Sequence, residues 1–202
     1  MIVRHRRRGD VPDERDARLL QSVKLIDEII DALDIGKLPL ALAVAWQADG
    51  EAAWGASVSP TGMLMLLARA DRVAAVHAAC AVARCAIARC SEDMHAAEDL
   101  LAVADAWCRS EVSAEEVSKD VSDATMGFRW SNHTFRVHMA HWSAVSAAAL
   151  VYDLDRAAYV AQSASSSLTA CQIPVWKINM EIAGAIRAAA TCPTVAELAG
   201  RP

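Results

Sequence analysis

The stretch "DRVAAVHAACAVARCAIARC", Asp71 to Cys90, decides the fold. Val73, Val76, Cys80, Ala83, Ile87 and Cys90 recur at alternating spacings of three and four, which is the stripe of a helix packed along one side. Alanine fills much of the remainder. It has the best helix propensity, and its small side chain lets neighbouring helices approach closely. Ser91 then stands where the cap of a following helix belongs, with Leu100, Val103, Ala104 and Trp107 at its inward positions. So little chain separates the two that they should pack as an antiparallel hairpin.

The same reading extends in both directions. Leu19, Leu20, Val23, Ile26, Ile30 and Leu33 predict a helix from Asp16, with Gly36 as its stop. Leu38 to Gln47 predicts a second, strongly apolar helix ending at Asp49-Gly50. Ser59-Pro60 opens a third through Met63, Leu66 and Leu67. Ser113-Ala-Glu-Glu116 is a capping box, so a helix starts there and runs to about Thr125, before Gly127. Further helices are predicted from about Ser131 to Tyr152, from Arg156 to Cys171 and from Val175 to Ala190. The Asp153-Leu-Asp155 turn, Pro174 and Pro193 punctuate them, and a short last turn follows Pro193.

Glycine forms no phosphate-binding loop, and no alternating β-branched run suggests a sheet. The fold class is therefore all-α: antiparallel helical hairpins forming a compact bundle or a short solenoid. No fixed repeat period chooses between those two.

At 202 residues the chain suits a single helical domain, residues 16–202, behind a charged flexible leader, residues 1–15. Phe and Tyr number two each, so the six Trp are expected to supply much of the large apolar volume. Trp107 and Trp142, each in the apolar stripe of its helix, should be largely buried. The six cysteines do not form a disulfide framework. Cys80, Cys85 and Cys90, five residues apart, splay around their helix, and no CxxC or CxxxC pair exists. They read as reduced, buried small hydrophobes, which places the chain in the cytoplasm. No apolar segment of signal-peptide length follows the basic start, Met1 to Gly9. The longest uncharged stretch, Ala157 to Trp176, is too rich in serine to cross a membrane.

Three of the six histidines, His133, His138 and His141, fall within "HTFRVHMAHW". On a helix His138 aligns with Trp142, Val145, Ala149 and Tyr152, and the other two border that stripe. Asp and Glu are absent between Ala124 and Tyr152, so a metal would need ligands from distant segments. The three are read as amphipathic core-edge histidines that share no metal. Glu92-x-x-His95 has the spacing of a di-iron carboxylate helix, but it occurs once where that site requires two. A nucleophile elbow is absent. No catalytic residue, metal or cofactor is assigned.

Charge is more informative. Between Ser91 and Thr125 ten acidic residues stand against Arg109 and Lys119, a local charge of −8. Such a band repels itself and attracts basic partners. Glu92, Glu98, Asp99, Glu115 and Glu116 are the residues expected to bind a partner. The leader's Arg4, Arg6, Arg7 and Arg8 read as a solvated tail, or one drawn to this band, rather than as a nucleic-acid contact.

Cys80 to Val117, "CAVARCAIARCSEDMHAAEDLLAVADAWCRSEVSAEEV", resembles a helical immunity-protein family of bacterial polymorphic toxin systems. The resembling parts are the alanine-rich helix with cysteine, then Ala-Asp-Ala-Trp107-Cys-Arg109-Ser-Glu111, then Ser113-x-x-Glu116-Val. Ala144 to Ala164 is similar to that family's next alanine-rich hairpin. The resemblance spans about Asp71 to Ala164. It implies an all-α protein that binds and neutralises a toxin, and it brings no catalytic residues. The expectation is a non-catalytic protein-binding module, an immunity protein for a basic toxin. The alternatives are a helical scaffold or adaptor subunit of a larger assembly, and a metal-dependent enzyme.

Overall fold

A computed structural model describes residues 14–34, 38–128 and 134–199. Arg4, Arg6, Arg7 and Arg8 of the leader, Gly36 and His133 lie outside the described residues. Ten helices and no strand are present among those described. They are α1 (Glu14–Asp34), α2 (Leu40–Ala56), α3 (Pro60–Ala70), α4 (Arg72–Ile87), α5 (His95–Cys108), α6 (Ala114–Gly127), α7 (Phe135–Ala149), α8 (Arg156–Thr169), α9 (Val175–Ala189) and α10 (Val195–Leu198).

Two alanine-rich helices form the hub. α4 packs on α3, α5, α7, α8 and α9, and α7 packs on α4, α5, α6 and α8. Between Val137 and Val151 nearly every α7 side chain is buried, as expected of a helix covered on several sides. Hydroxyls settle themselves on the backbone within this contact: Ser143 donates to the Val160 carbonyl at 3.1 Å and Ser167 to that of Arg136 at 2.9 Å. In a solenoid each unit touches only its neighbours in sequence. Here α4 reaches α9 and α3 reaches α8, so the hairpins close into a compact bundle.

Local signals place the helix ends. Ser59 Oγ accepts from the Gly62 amide, and Asp71 Oδ1 from those of Val73 and Ala74. The Ser113–Glu116 capping box closes in both directions, as does a second at Thr194 and Glu197. The α4–α5 hairpin forms, joined by Arg84 Nη2 to Asp105 Oδ2 at 2.6 Å.

Several boundaries differ from expectation. α4 ends at Ile87, and Ser91 caps nothing. Its amide and hydroxyl turn to Glu92, while Asp93 accepts from the first amide of α5. α2 does not stop at Asp49-Gly50 but runs on to Ala56. The Trp46 indole lies across Gly50 one turn later, where a Cβ would stand 2.8 Å from two ring carbons. Glycine there admits the ring instead of breaking the helix.

Large apolar volume also comes from elsewhere. Among the described residues the largest fully buried side chains are Ile, Leu and Met, and the tryptophans buried are Trp46 and Trp54. Trp107 and Trp142 are only half-buried, at the edge of the core. The buried face of α5 is Ala97, Leu100, Leu101 and Ala104, and it runs out in the last turn, where Trp107 sits. Trp176 is 65% exposed.

Candidate functional site

The acidic segment occupies the α4–α5 loop, α5 and α6. Its carboxylates divide into those used within the fold and those left free. Glu92 belongs to the first group. Arg136, from α7, donates to its Oε2 at 3.0 Å, Thr134 donates to Oε1 at 3.2 Å, and Ser91 donates from both its amide and its hydroxyl at 3.1 Å. The Arg136 guanidinium, helped by the Ser91 and Thr134 bonds, pulls the Glu92 carboxyl down from 4.5 to about 2. Asp105 pairs with Arg84 and lies 3.6 Å from His77 Nδ1. Glu111 takes both ends of the Arg109 guanidinium at 2.8 Å, which holds its carboxyl below its ordinary value. Glu116 accepts from the Ser113 amide and hydroxyl, and that capping bond likewise lowers it.

The second group faces solvent. Asp99 on α5 and Glu115 and Asp123 on α6 are exposed, and Asp120 is partly so. None of the four has an ion pair among the described residues. Glu98 is exposed too, with only a 3.8 Å approach from Arg84 Nε. α6 buries Val117 and Val121 against α5 and α7, with Ala114, Ser118, Asp120 and Ala124 half-buried beside them and its other residues exposed. Of the five residues expected to bind a partner, Asp99 on α5 and Glu115 on α6 are exposed without an ion pair among the described residues, and Glu98 is exposed beside Arg84. Glu116 is held in its cap, and Glu92 is tied into the α7 contact.

The histidines sit elsewhere. His138 and His141 are buried in α7 against Phe128, which follows α6. Phe128 stacks on His141 with centroids 4.0 Å apart and meets His138 edge-on at 5.1 Å. The arrangement fastens α6 to α7 through rings. His141 also lines a hollow of about 650 Å³ with Asp93, Met94 and His95. Among the described residues no three His, Cys, Asp or Glu side chains converge as metal ligands would. Glu92 precedes α5, so Glu92 and His95 do not share a helical turn. A cleft of about 640 Å³ beside α3 and α8 is lined by Ser59, Thr61, Gln162, Ser165, Ser166 and Asn179. Among the described residues no titratable side chain lines it.

The sequence reading missed Arg136 as the partner of Glu92. The two are 44 residues apart, and no local signal joins them. It also took the cysteines as buried. Only Cys80 is; Cys85, Cys90, Cys108, Cys171 and Cys192 are half-buried, since helix ends and turns place most of them at the core's edge. No helix among the described residues is long and apolar enough to cross a membrane. Comparison with known protein families, curated proteins and solved structures finds no match for this chain.

Proposed function

We propose that the chain is a non-catalytic, cytoplasmic protein-binding module whose α5–α6 face receives a basic protein, and that it acts as an immunity protein. One observation carries this reading. Asp99, Glu115, Asp120 and Asp123 lack ion-pair partners among the described residues, while neighbouring Glu92, Asp105 and Glu111 are neutralised inside the fold. Like charges left unpaired on neighbouring helices cost stability through self-repulsion, and they steer a partner of opposite sign. The immunity role rests on the resemblance of Cys80–Val117 and Ala144–Ala164. Co-expression with the product of the adjacent reading frame tests it. Growth arrest by that product alone, relieved by this chain, supports the role; a harmless neighbour that does not co-purify removes it.

A second reading has its own support. Val175, Trp176 and Met180 are each more than half exposed at the start of α9, an apolar patch suited to a scaffold or adaptor subunit. Loss of self-association or complex size on Trp176→Ser would favour it.

A further inference from the structure

Where α5, α6 and α7 meet they leave the hollow of about 650 Å³, walled by Met94, Ala97, Ala124, Phe128, Val137 and His141. The wall is mainly apolar. Cavities of about 300–1,000 Å³ hold drug-sized molecules, so one large side chain fits in this one. Ala96 and Gly127 also line it, and both are exposed. A Cβ added at Gly127 would meet nothing within 4 Å, so the space beside it is open.

An acidic track leads to this opening. On α6, Glu116, Asp120, Asp123 and Gly127 follow one another at spacings of four, three and four, so they share one side of the helix. Asp120 and Asp123 on that side have no ion pair among the described residues. On α5 the exposed Asp99 follows Ala96 by three residues, and exposed Asp93 lines the hollow itself. From Glu116 to Gly127 the track runs about 16 Å. A small molecule in the hollow would touch only its end. An extended polypeptide of roughly five residues spans it.

We propose that the hollow takes an aromatic or large aliphatic side chain from a basic segment of the partner, whose Lys or Arg residues lie along the α6 carboxylates. This rests on the reading of α5 and α6 as the receivers of a basic protein, and it names what that protein presents. The two features divide the work. Rim charges act on encounter, whereas an apolar anchor seated in a pocket holds the complex together. The carboxylates attract basic segments of any sequence, and the hollow selects those with a large apolar side chain beside their charges. An anchor flanked by acidic residues is repelled by the same track.

The probes are three acetylated, amidated pentapeptides: Trp-Lys-Arg-Lys-Arg, the same peptide with Ala in place of Trp, and Trp-Glu-Asp-Glu-Asp. Each is titrated into the full isotope-labelled chain at low salt and followed by NMR. The basic Trp peptide should bind about tenfold more tightly than the Ala peptide, with its largest shifts at the amides of Ala97, Ala124 and Gly127. The acidic peptide should not bind. Gly127→Leu fills the opening and should bring the Trp peptide down to the level of the Ala peptide, whose own affinity stays unchanged. Ala96→Phe is the second filling variant if Gly127→Leu does not fold. Asp120→Lys combined with Asp123→Lys should weaken both basic peptides. Equal affinity for the two basic peptides, weakened by the Lys substitutions, would overturn the anchor and leave the acidic binding surface standing. A Trp preference that the acidic peptide shares and the Lys substitutions do not touch would remove both. Absence of any amide shift with either basic peptide at millimolar concentration also overturns the proposal.

Discussion

The indole N–H of Trp46 donates to the carbonyl of Pro193 at 2.7 Å, and this buried bond fastens α2 to the segment that leads into α10. The far end of α2 is fastened as well. Arg187 of α9 donates to the carbonyls of Ser57, at 2.8 Å, and Trp54, at 3.5 Å, the latter already reached by the Ser57 amide. α2 needs these ties because its main helical neighbours are only α1 and α10. Trp46→Phe keeps most of the ring but leaves the Pro193 carbonyl only the Cys192 thiol, 3.7 Å away. Losing one buried hydrogen bond costs about 0.5–1.5 kcal/mol, so chemical denaturation should show a loss in that range with the fold retained.

Gly50→Ala should destabilise, although glycine-to-alanine inside a helix ordinarily gains about 1 kcal/mol. The added Cβ would stand 2.8 Å from Cδ2 and Cε2 of Trp46, whose ring is held by Pro193 and cannot swing away cheaply. Overpacking of this kind costs about 1–3 kcal/mol. In a Trp46→Ala background the same change should turn stabilising. A melting temperature that rises in both backgrounds would show that the ring does not occupy that space.

Glu92 gives a pH signature. Its carboxyl titrates at about 2 in the fold against an ordinary 4.5, chiefly because Arg136 bonds the charged form. A lowered folded value means that the stabilisation is complete above about 4.5 and fades as pH falls toward 2. Wild type should therefore exceed Glu92→Gln in unfolding midpoint at neutral pH, with the gap narrowing below pH 4.5. A gap that is constant from neutral pH to pH 2 would mean that the ion pair is not what joins the α4–α5 loop to α7.

Most helices were legible because their signals are local. Ser59-Pro60 and Ser113-x-x-Glu116 each announce a helix start within four residues, and each caps as its spacing implies. The readings that shifted depend on partners far away in the chain. Ser91 left its capping role because Arg136 draws Glu92 and Ser91 together, and Trp107 sits where the buried face of α5 runs out. Gly50 looked like a stop until the Trp46 ring was laid across it. The acidic surface was legible as composition. Its division into paired and free carboxylates was not, because Arg84 and Arg136 reach it from helices outside the segment.

The most direct test of the central claim is the association rate with a captured basic partner, measured by stopped flow across ionic strengths. The variant replaces Asp99, Glu115 and Asp123 with Lys and spares Glu116, whose capping bonds to Ser113 would be lost. Rim charges act mainly on encounter, so the wild-type rate should fall steeply as salt rises, by roughly tenfold or more over the accessible range. The triple variant should start slow at low salt and change little. A wild-type rate indifferent to salt, matched by an equally fast triple variant, would contradict the account and leave the exposed Val175–Trp176–Met180 patch as the better candidate for the binding surface.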